Sequence, residues 1–355
     1  MMARTQALAA LLPPGVEFFL ITGLVNVRYL TGFTGSNGAV LVARDGATVL
    51  ATDGRYATQA AGQCPDVDIL VTRSVASALI ERVAESGAGT RQVAIEHHHV
   101  TLAQFQPLFE AADGRVEFCD ANQVVERLRA VKDDDEIELL SAACTITDEV
   151  FTAVLELLRP GVDESTIAWE MRRLMHARGA EPAFDSIVAF GPNSARPHHR
   201  PTGTELRQGD FVKLDFGAAV EGYHADMTRT VVCGPPADWQ RDLHELVRVI
   251  QEEARAQVLP GALPVELDTA VRVRIEQAGH EVAHGLGHGV GLEIHESPFL
   301  VPGSTAARLV DRVAVTVEPG IYLPGRGGVR IEDTVLVGAA GAEPLTSSPR
   351  ELISL

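Results

Sequence analysis

The chain has 355 residues, 46% of them apolar, and a formal net charge of -18 at pH 7. That is long enough for two domains with separate cores, and no window approaches the ~20 uninterrupted apolar residues of a membrane span. The acidic balance argues against nucleic acid or an anionic membrane as a general partner.

Four cysteines (Cys64, Cys119, Cys144, Cys233) form no C-x-x-C pair, as expected of reduced thiols in a cytoplasmic protein. Ala7 to Leu12 is apolar, but Pro13-Pro14 and Glu17 stop it, so it is predicted as a first helix and not a secretory leader. Phe18 to Thr22 reads as a strand, and Gly38 to Thr52 as a hairpin turning at Asp45-Gly46. Helical patterns follow at Ala76 to Glu85 and Leu102 to Ala112, with a short strand at Val93 to Glu96 between them. Residues 1–126 are therefore expected to form a small α/β domain. Asp133 with Glu136 is a capping pair for a long helix running towards Leu158, so the second domain is placed at 127–355.

The second domain repeats itself. Arg159-Pro160-Gly161 recurs as Leu259-Pro260-Gly261, and each is followed by an amphipathic helix ending at a glycine, Gly179 and then Gly279. Pro-Gly ends helices in many contexts, but here both pairs share one offset of 100 residues. Strand patterns follow in each half, Phe211 to Val232 and Val313 to Val337. Two helix-then-sheet halves suggest a pseudo-twofold α+β domain whose sheets meet in the middle.

Each half places carboxylates in apolar strands. In the first, Asp215 lies in Val212 to Gly217 and Asp226 in Tyr223 to Thr228; a turn near Val220 to Gly222 is expected to set them roughly opposite each other. In the second, a turn around Gly325 to Gly327 brings Glu318 near Glu332. Buried charge without a partner is costly or changes its protonation state, so the repeated device points to bound cations. Four carboxylates sum to -4, which two divalent ions neutralise, at the about 3.5–4 Å spacing of two-metal hydrolytic sites.

His288 offers a nitrogen ligand within His284-Gly285-Leu286-Gly287-His288-Gly289, with His295-Glu296 following. No strand leads into this glycine-rich loop with a helix behind it, so a dinucleotide site is rejected. His198-His199 sits in a loop ahead of the first hairpin. The run His97-His98-His99 has no carboxylates patterned around it and is not read as a metal site.

These residues resemble the pita-bread metallopeptidases, the fold shared by methionine aminopeptidase, aminopeptidase P, prolidase and creatinase. The matching blocks are Leu214 to Gly217, Asp226 to Thr230, His284 to His288, Val317 to Gly320 and Gly328 to Asp333. The first domain matches the proline-specific members through Tyr29 to Ser36 and Thr52 to Tyr56.

The resemblance implies a creatinase-like N-terminal α/β domain, a pita-bread catalytic domain and two divalent ions, Mn, Co, Zn or Fe. It implies metal ligation by Asp215, Asp226, His288, Glu318 and Glu332, with Glu318 also shuttling a proton. His198 and His295 would stabilise the oxyanion or orient the substrate, and His284 and Arg330 would line the substrate pocket. The implied activity is hydrolysis of an Xaa-Pro bond at a peptide N-terminus, by a homodimer.

Other readings share the fold. A creatinase-like amidinohydrolase works without metal, which retention of all five ligand types argues against. Non-catalytic pita-bread binding modules have typically lost ligands, and methionine aminopeptidases lack the first domain. Between prolidase, which takes dipeptides, and aminopeptidase P, which takes longer chains, a cation that meets the dipeptide carboxylate would decide. Arg55, Arg196 and Arg200 are the candidates, and their number tips the expectation towards a dipeptidase.

Overall fold

The computed structural model describes residues 2–87 and 89–355. It divides into two compact units, 1–129 and 130–355, with the division falling within the helix Val124–Ala130.

Unit 1 is built on six strands: β1 (Phe18–Ile21), β2 (Gly38–Ala43), β3 (Thr48–Thr52), β4 (Asp68–Val71), β5 (Arg91–Ile95) and β6 (Val116–Asp120). Their order is β4-β3-β2-β1-β5-β6. β1, β2 and β3 pair antiparallel, while β4, β5 and β6 join in parallel, each after a helical crossover. The Asp45-Gly46 turn closes the β2–β3 hairpin with Gly46 at φ 88°, a backbone state that glycine adopts without a Cβ penalty. Leu20, Leu41, Leu79, Ile80, Val83, Val93 and Leu108 fill the core between this sheet and the helices Val75–Glu85 and Leu102–Ala112.

Unit 2 opens with the helix Asp134–Leu155. The Asp133 carboxylate accepts from the Glu136 backbone, and Glu136 accepts from the Asp133 backbone, so two otherwise orphaned donors are satisfied. The two halves then use the same local device. Gly161 (φ 93°) and Gly261 (φ 92°) donate to Leu206 and Leu309 carbonyls at 2.9 and 2.7 Å. Helices Glu164–His176 and Pro264–Gln277 follow, and each ends at a left-handed glycine, Gly179 (φ 77°) or Gly279 (φ 83°). The residue after that glycine donates back to Met175 or Ile275, tying off the last turn.

The strands of unit 2 are β7 (Glu181–Pro182), β8 (Ile187–Phe190), β9 (Phe211–Phe216), β10 (Ala218–Val220), β11 (Tyr223–His224) and β12 (Met227–Val232) in the first half. The second half has β13 (Gly287–Gly289), β14 (Glu296–Leu300), β15 (Ala314–Val317), β16 (Gly320–Leu323), β17 (Gly327–Arg330), β18 (Asp333–Gly338) and β19 (Gly341–Pro344). The main sheets are β12-β9-β8 and β14-β13-β15-β18-β19. Each packs on its own pair of helices: Phe151, Ile167 and Met171 cover Leu214 and Val231, while Val247, Ile250 and Val271 cover Val315 and Val335. Burial of each such side chain contributes about 1.5–3 kcal/mol.

The halves meet where β12 runs beside residues 330–334. Thr230 exchanges hydrogen bonds with the Arg330 backbone, Glu332 N–H donates to the Thr228 carbonyl, and Thr334 bonds the Asp226 backbone in both directions. Among the described residues, no helix is long and apolar enough to cross a membrane.

Candidate metal centre

In the first hairpin a two-residue turn at Glu221 (φ 45°) and Gly222 (φ 74°) sets the register. That turn places Asp215 opposite Thr228 and Phe216 opposite Met227. Asp215 and Asp226 thus lie roughly across the hairpin from each other without being direct partners. Asp226 stands two residues from Thr228 on the same face, a diagonal neighbour of Asp215. Gly217 occupies the position beside it, and a Cβ there would lie 1.7 Å from the Ala225 carbonyl oxygen. Only glycine permits that approach.

In the second hairpin the β15–β18 ladder ends at Val317 and Asp333, and the β16–β17 ladder begins at Gly320 and Arg330. Glu318 and Glu332 lie in the gap between the ladders. Pro319 has no N–H to continue the pairing; the Glu318 and Glu332 amides donate instead to Leu286 and Thr228 carbonyls, at 2.9 and 3.1 Å. A break in both ladders, answered from neighbouring segments, turns both carboxylates inward.

His288 arrives on β13, where a Cβ on Gly287 would meet the Thr316 carbonyl at 2.1 Å. The His288 Nδ1 lies 3.1 Å from the Gly289 carbonyl, which can only accept, so Nδ1 carries the proton. The Nε2 lone pair then faces Asp226 Oδ2 at 3.7 Å and Glu318 Oε1 at 3.4 Å. The His295 ring packs edge-on against it with centroids 4.3 Å apart.

Burial, then repulsion from Glu332, Asp215 and Glu318, holds the Asp226 carboxyl well above the usual range. Burial, then Glu318 and Asp215, does the same at Glu332. Burial pushes Glu318 up to about 8 against the opposing pull of Arg330, and lowers His288 to about 4. Asp226, His288 and Glu332 each offer a ligand atom within 4.8 Å of the others. Asp226 Oδ1 is buried with no hydrogen-bond partner, a costly state that a cation would relieve. The oxygen-rich donor set with one neutral imidazole fits a divalent metal.

The neighbouring Asp333 shows what an ordinary structural carboxylate looks like. It points to the other face, takes bonds from Arg229, Arg350, Gln251 and Thr346, and is held low despite its burial.

Arg330, expected on the pocket wall, is 1% exposed and packed behind the carboxylates. Its guanidinium pairs with Asp215 and donates to Thr228 Oγ1 at 3.0 Å and Tyr322 Oη at 2.7 Å. His284 Nδ1 donates to its neighbouring Gly285 carbonyl, so Nε2 accepts from the Tyr322 hydroxyl at 2.8 Å. Arg330, Tyr322 and His284 thus form one directed chain of hydrogen bonds.

Sequence reasoning missed Tyr322, Thr228 and Lys213. The signal was available: Tyr322 shares strand parity with Gly320, Thr228 with Asp226, and Lys213 with Asp215. The Lys213 ammonium is buried, donates to the Arg196 and Pro197 carbonyls at 2.6 and 3.2 Å, and is lowered to about 6 by burial and then by Arg330.

The two loop histidines part company. His199 is 4% exposed with its Nε2 on Glu164 at 2.8 Å, whereas His198 is exposed. His198 and Arg200 line a cavity of about 620 Å³ with Trp169 and Arg172. His198 is close enough to add to the lowering of His295, which burial leads. Arg196 is exposed and outside that cavity, and in unit 1 the Arg55 guanidinium is engaged by Asp53. His98 and His97 approach Glu126 and Asp120 at 3.0 and 3.9 Å. Among the described residues that run forms no three-ligand group.

The model of metallopeptidase family M24 matches residues 138–339, and that of the creatinase/prolidase N-terminal domain matches residues 4–131. An Xaa-Pro dipeptidase of Pyrococcus furiosus is 42% identical over 240 residues, 67% of this chain and 69% of that protein. The structure of an Xaa-Pro dipeptidase from Bacillus anthracis superposes with a TM-score of 0.91 at 37% identity, covering 100% of this chain and 99% of the other. An X-Pro aminopeptidase structure from Thermotoga maritima gives 0.87 at 34% identity, covering 96% and 98%.

Proposed function

Because this chain belongs to metallopeptidase family M24, with the pita-bread fold of that family, we propose that it hydrolyses the Xaa-Pro bond of dipeptides. The observation that carries the reading is the meeting of Asp226, Glu318 and Glu332, from two hairpins, with the Nε2 of His288, with Asp215 beside the other carboxylates. Two divalent ions, Mn, Co, Zn or Fe, held by these five residues would acidify water and polarise the scissile carbonyl. The similar Xaa-Pro dipeptidases support the substrate class.

The protein's own groups have separate tasks. Glu318 would take a proton from the attacking water and pass it towards the leaving proline nitrogen. His198 and His295, both exposed, donate to the oxyanion as it develops. His284 has both ring nitrogens engaged and presents its ring as a fixed wall. Arg330 holds Asp215 in place. Arg200, beside His198, meets the carboxylate of a dipeptide.

The test is cleavage of Xaa-Pro, Xaa-Pro-Xaa, Met-Ala-Ser and creatine by metal-loaded protein, read by mass spectrometry. Cleavage confined to Xaa-Pro supports the proposal. Faster cleavage of the longer peptide moves the chain to aminopeptidase P, the activity named for the similar Thermotoga maritima structure. The family resemblance further supports a homodimer, and four free thiols support a cytoplasmic setting. Light scattering at 38.0 kDa across all concentrations would remove the dimer.

A further inference from the structure

The loop that carries His198 is closed around a single carboxylate. Glu164 opens the helix Glu164–His176 and is 0% exposed. Its Oε1 accepts from Phe190 N and Asn193 Nδ2, both at 2.9 Å. Its Oε2 accepts from His199 Nε2 at 2.8 Å, Thr202 N at 2.9 Å and Thr202 Oγ1 at 2.7 Å. All five donors come from residues 190–202, so one side chain gathers both ends of that segment. The other wall is cationic: Lys213 Nζ and Arg330 Nη1 both donate to the Pro197 carbonyl, at 3.2 and 3.3 Å. His198 is thus held by its neighbours on either side, the Pro197 carbonyl and the His199 ring, while its own side chain stays exposed.

We propose that Glu164 is a positioning residue for the reaction, acting through His199 to fix the backbone from which His198 reaches the substrate. This rests on the Xaa-Pro hydrolase reading. A carboxylate is needed because Oε2 accepts three donors at once, which an amide NH2 in its place cannot do. Burial in a fold of this size does not by itself require a charge there, since unpaired buried carboxylates are costly; the five bonds keep Glu164 ionised, lowering its pKa against its burial.

Glu164→Gln and His199→Ala decide the matter with two readouts. In hydrogen–deuterium exchange of metal-free protein, both substitutions are expected to speed exchange about tenfold across residues 196–202, leaving the helix Asp134–Leu155 at wild-type protection. His199→Gln, which keeps a donor to Glu164, is expected to restore most of that protection.

In steady-state cleavage of Ala-Pro, Glu164→Gln is expected to lower kcat on the order of 10²-fold, the effect of a misplaced group, with KM and metal content little changed. Combined with His198→Ala it is expected to add less than about twofold to the loss from His198→Ala alone, because both act through one imidazole. Wild-type loop exchange in Glu164→Gln, or losses that multiply in the double variant, would overturn the proposal. If Glu164→Gln does not fold, His199→Ala carries both arms. If the wild type cleaves no Xaa-Pro peptide, the functional reading fails, while the exchange arm still decides whether Glu164 holds the loop.

Discussion

Thr228 and Glu332 are bonded twice: the Glu332 amide donates to the Thr228 carbonyl at 3.1 Å, and the Thr228 hydroxyl donates to the Glu332 carboxylate at 2.6 Å. The pair joins the two halves of the catalytic unit at the carboxylate cluster itself. The same hydroxyl oxygen accepts from Arg330 Nε at 3.0 Å. Thr228→Val keeps the shape and the backbone bond but removes the two bonds of the hydroxyl, leaving a buried guanidinium nitrogen unmatched, at a cost of about 1–3 kcal/mol. Thermal unfolding of the metal-free variant is expected several degrees below wild type, and metal affinity is expected to fall about 10–100-fold. Unchanged affinity by calorimetry would show that Glu332 orients itself.

Washed protein reloaded with Mn or Zn is expected to hold close to two ions per chain by elemental analysis. Asp226→Ala and Glu332→Ala are each expected to lose an ion, because few nearby groups can replace the missing ligand oxygen. One ion in the wild type would end the dinuclear reading.

His198→Ala is expected to keep its metal and lose about 10²–10³-fold in kcat, the size of one lost oxyanion donor. His288→Ala is expected to lose metal and activity together. A fully active His198→Ala enzyme would remove that imidazole from the mechanism.

Metal-free protein is expected to lose stability as pH rises from about 6.5, above the histidine range, to about 8. Asp226 and Glu332 keep protons in the fold well above their ordinary range, and Glu318 does so up to about 8. Groups with raised folded pKa stabilise below the unfolded value and lose that contribution as pH rises through the folded one. Buried His244, His284 and His288, all lowered to about 4, act below this window. Lys213, lowered to about 6, opposes the trend by one proton. The cleanest measure is the difference in Tm between loaded and chelated protein, which is expected to widen with pH. A constant difference would mean the carboxylates are not protonated when the metal is gone.

For substrate length, kcat/KM on Ala-Pro is expected to exceed that on the matching tripeptide at least tenfold, about 1.4 kcal/mol. Arg200→Ala is expected to erase this preference and leave metal content intact. A preference that survives the substitution places the carboxylate elsewhere.

The sequence by itself determined the parts that depend on nearby residues. Capping at Asp133 and Glu136, the glycines at 161 and 261, and the alternation around Asp215 and Glu318 are local chemistry, and all read directly. The family blocks carried the five ligand candidates. Tertiary structure decided what depends on register and on distant segments. A two-residue turn sets Asp215 against Thr228 rather than Asp226. Glu332 faces the cluster and its neighbour Asp333 faces two arginines because strand alternation sends adjacent side chains to opposite sides. Arg330 lies behind the carboxylates because Asp215 comes from 115 residues away, and His199 turns inward because Glu164 waits beneath it. No local spacing encodes such partners; they exist only once two separately folded hairpins and a helix have been packed together.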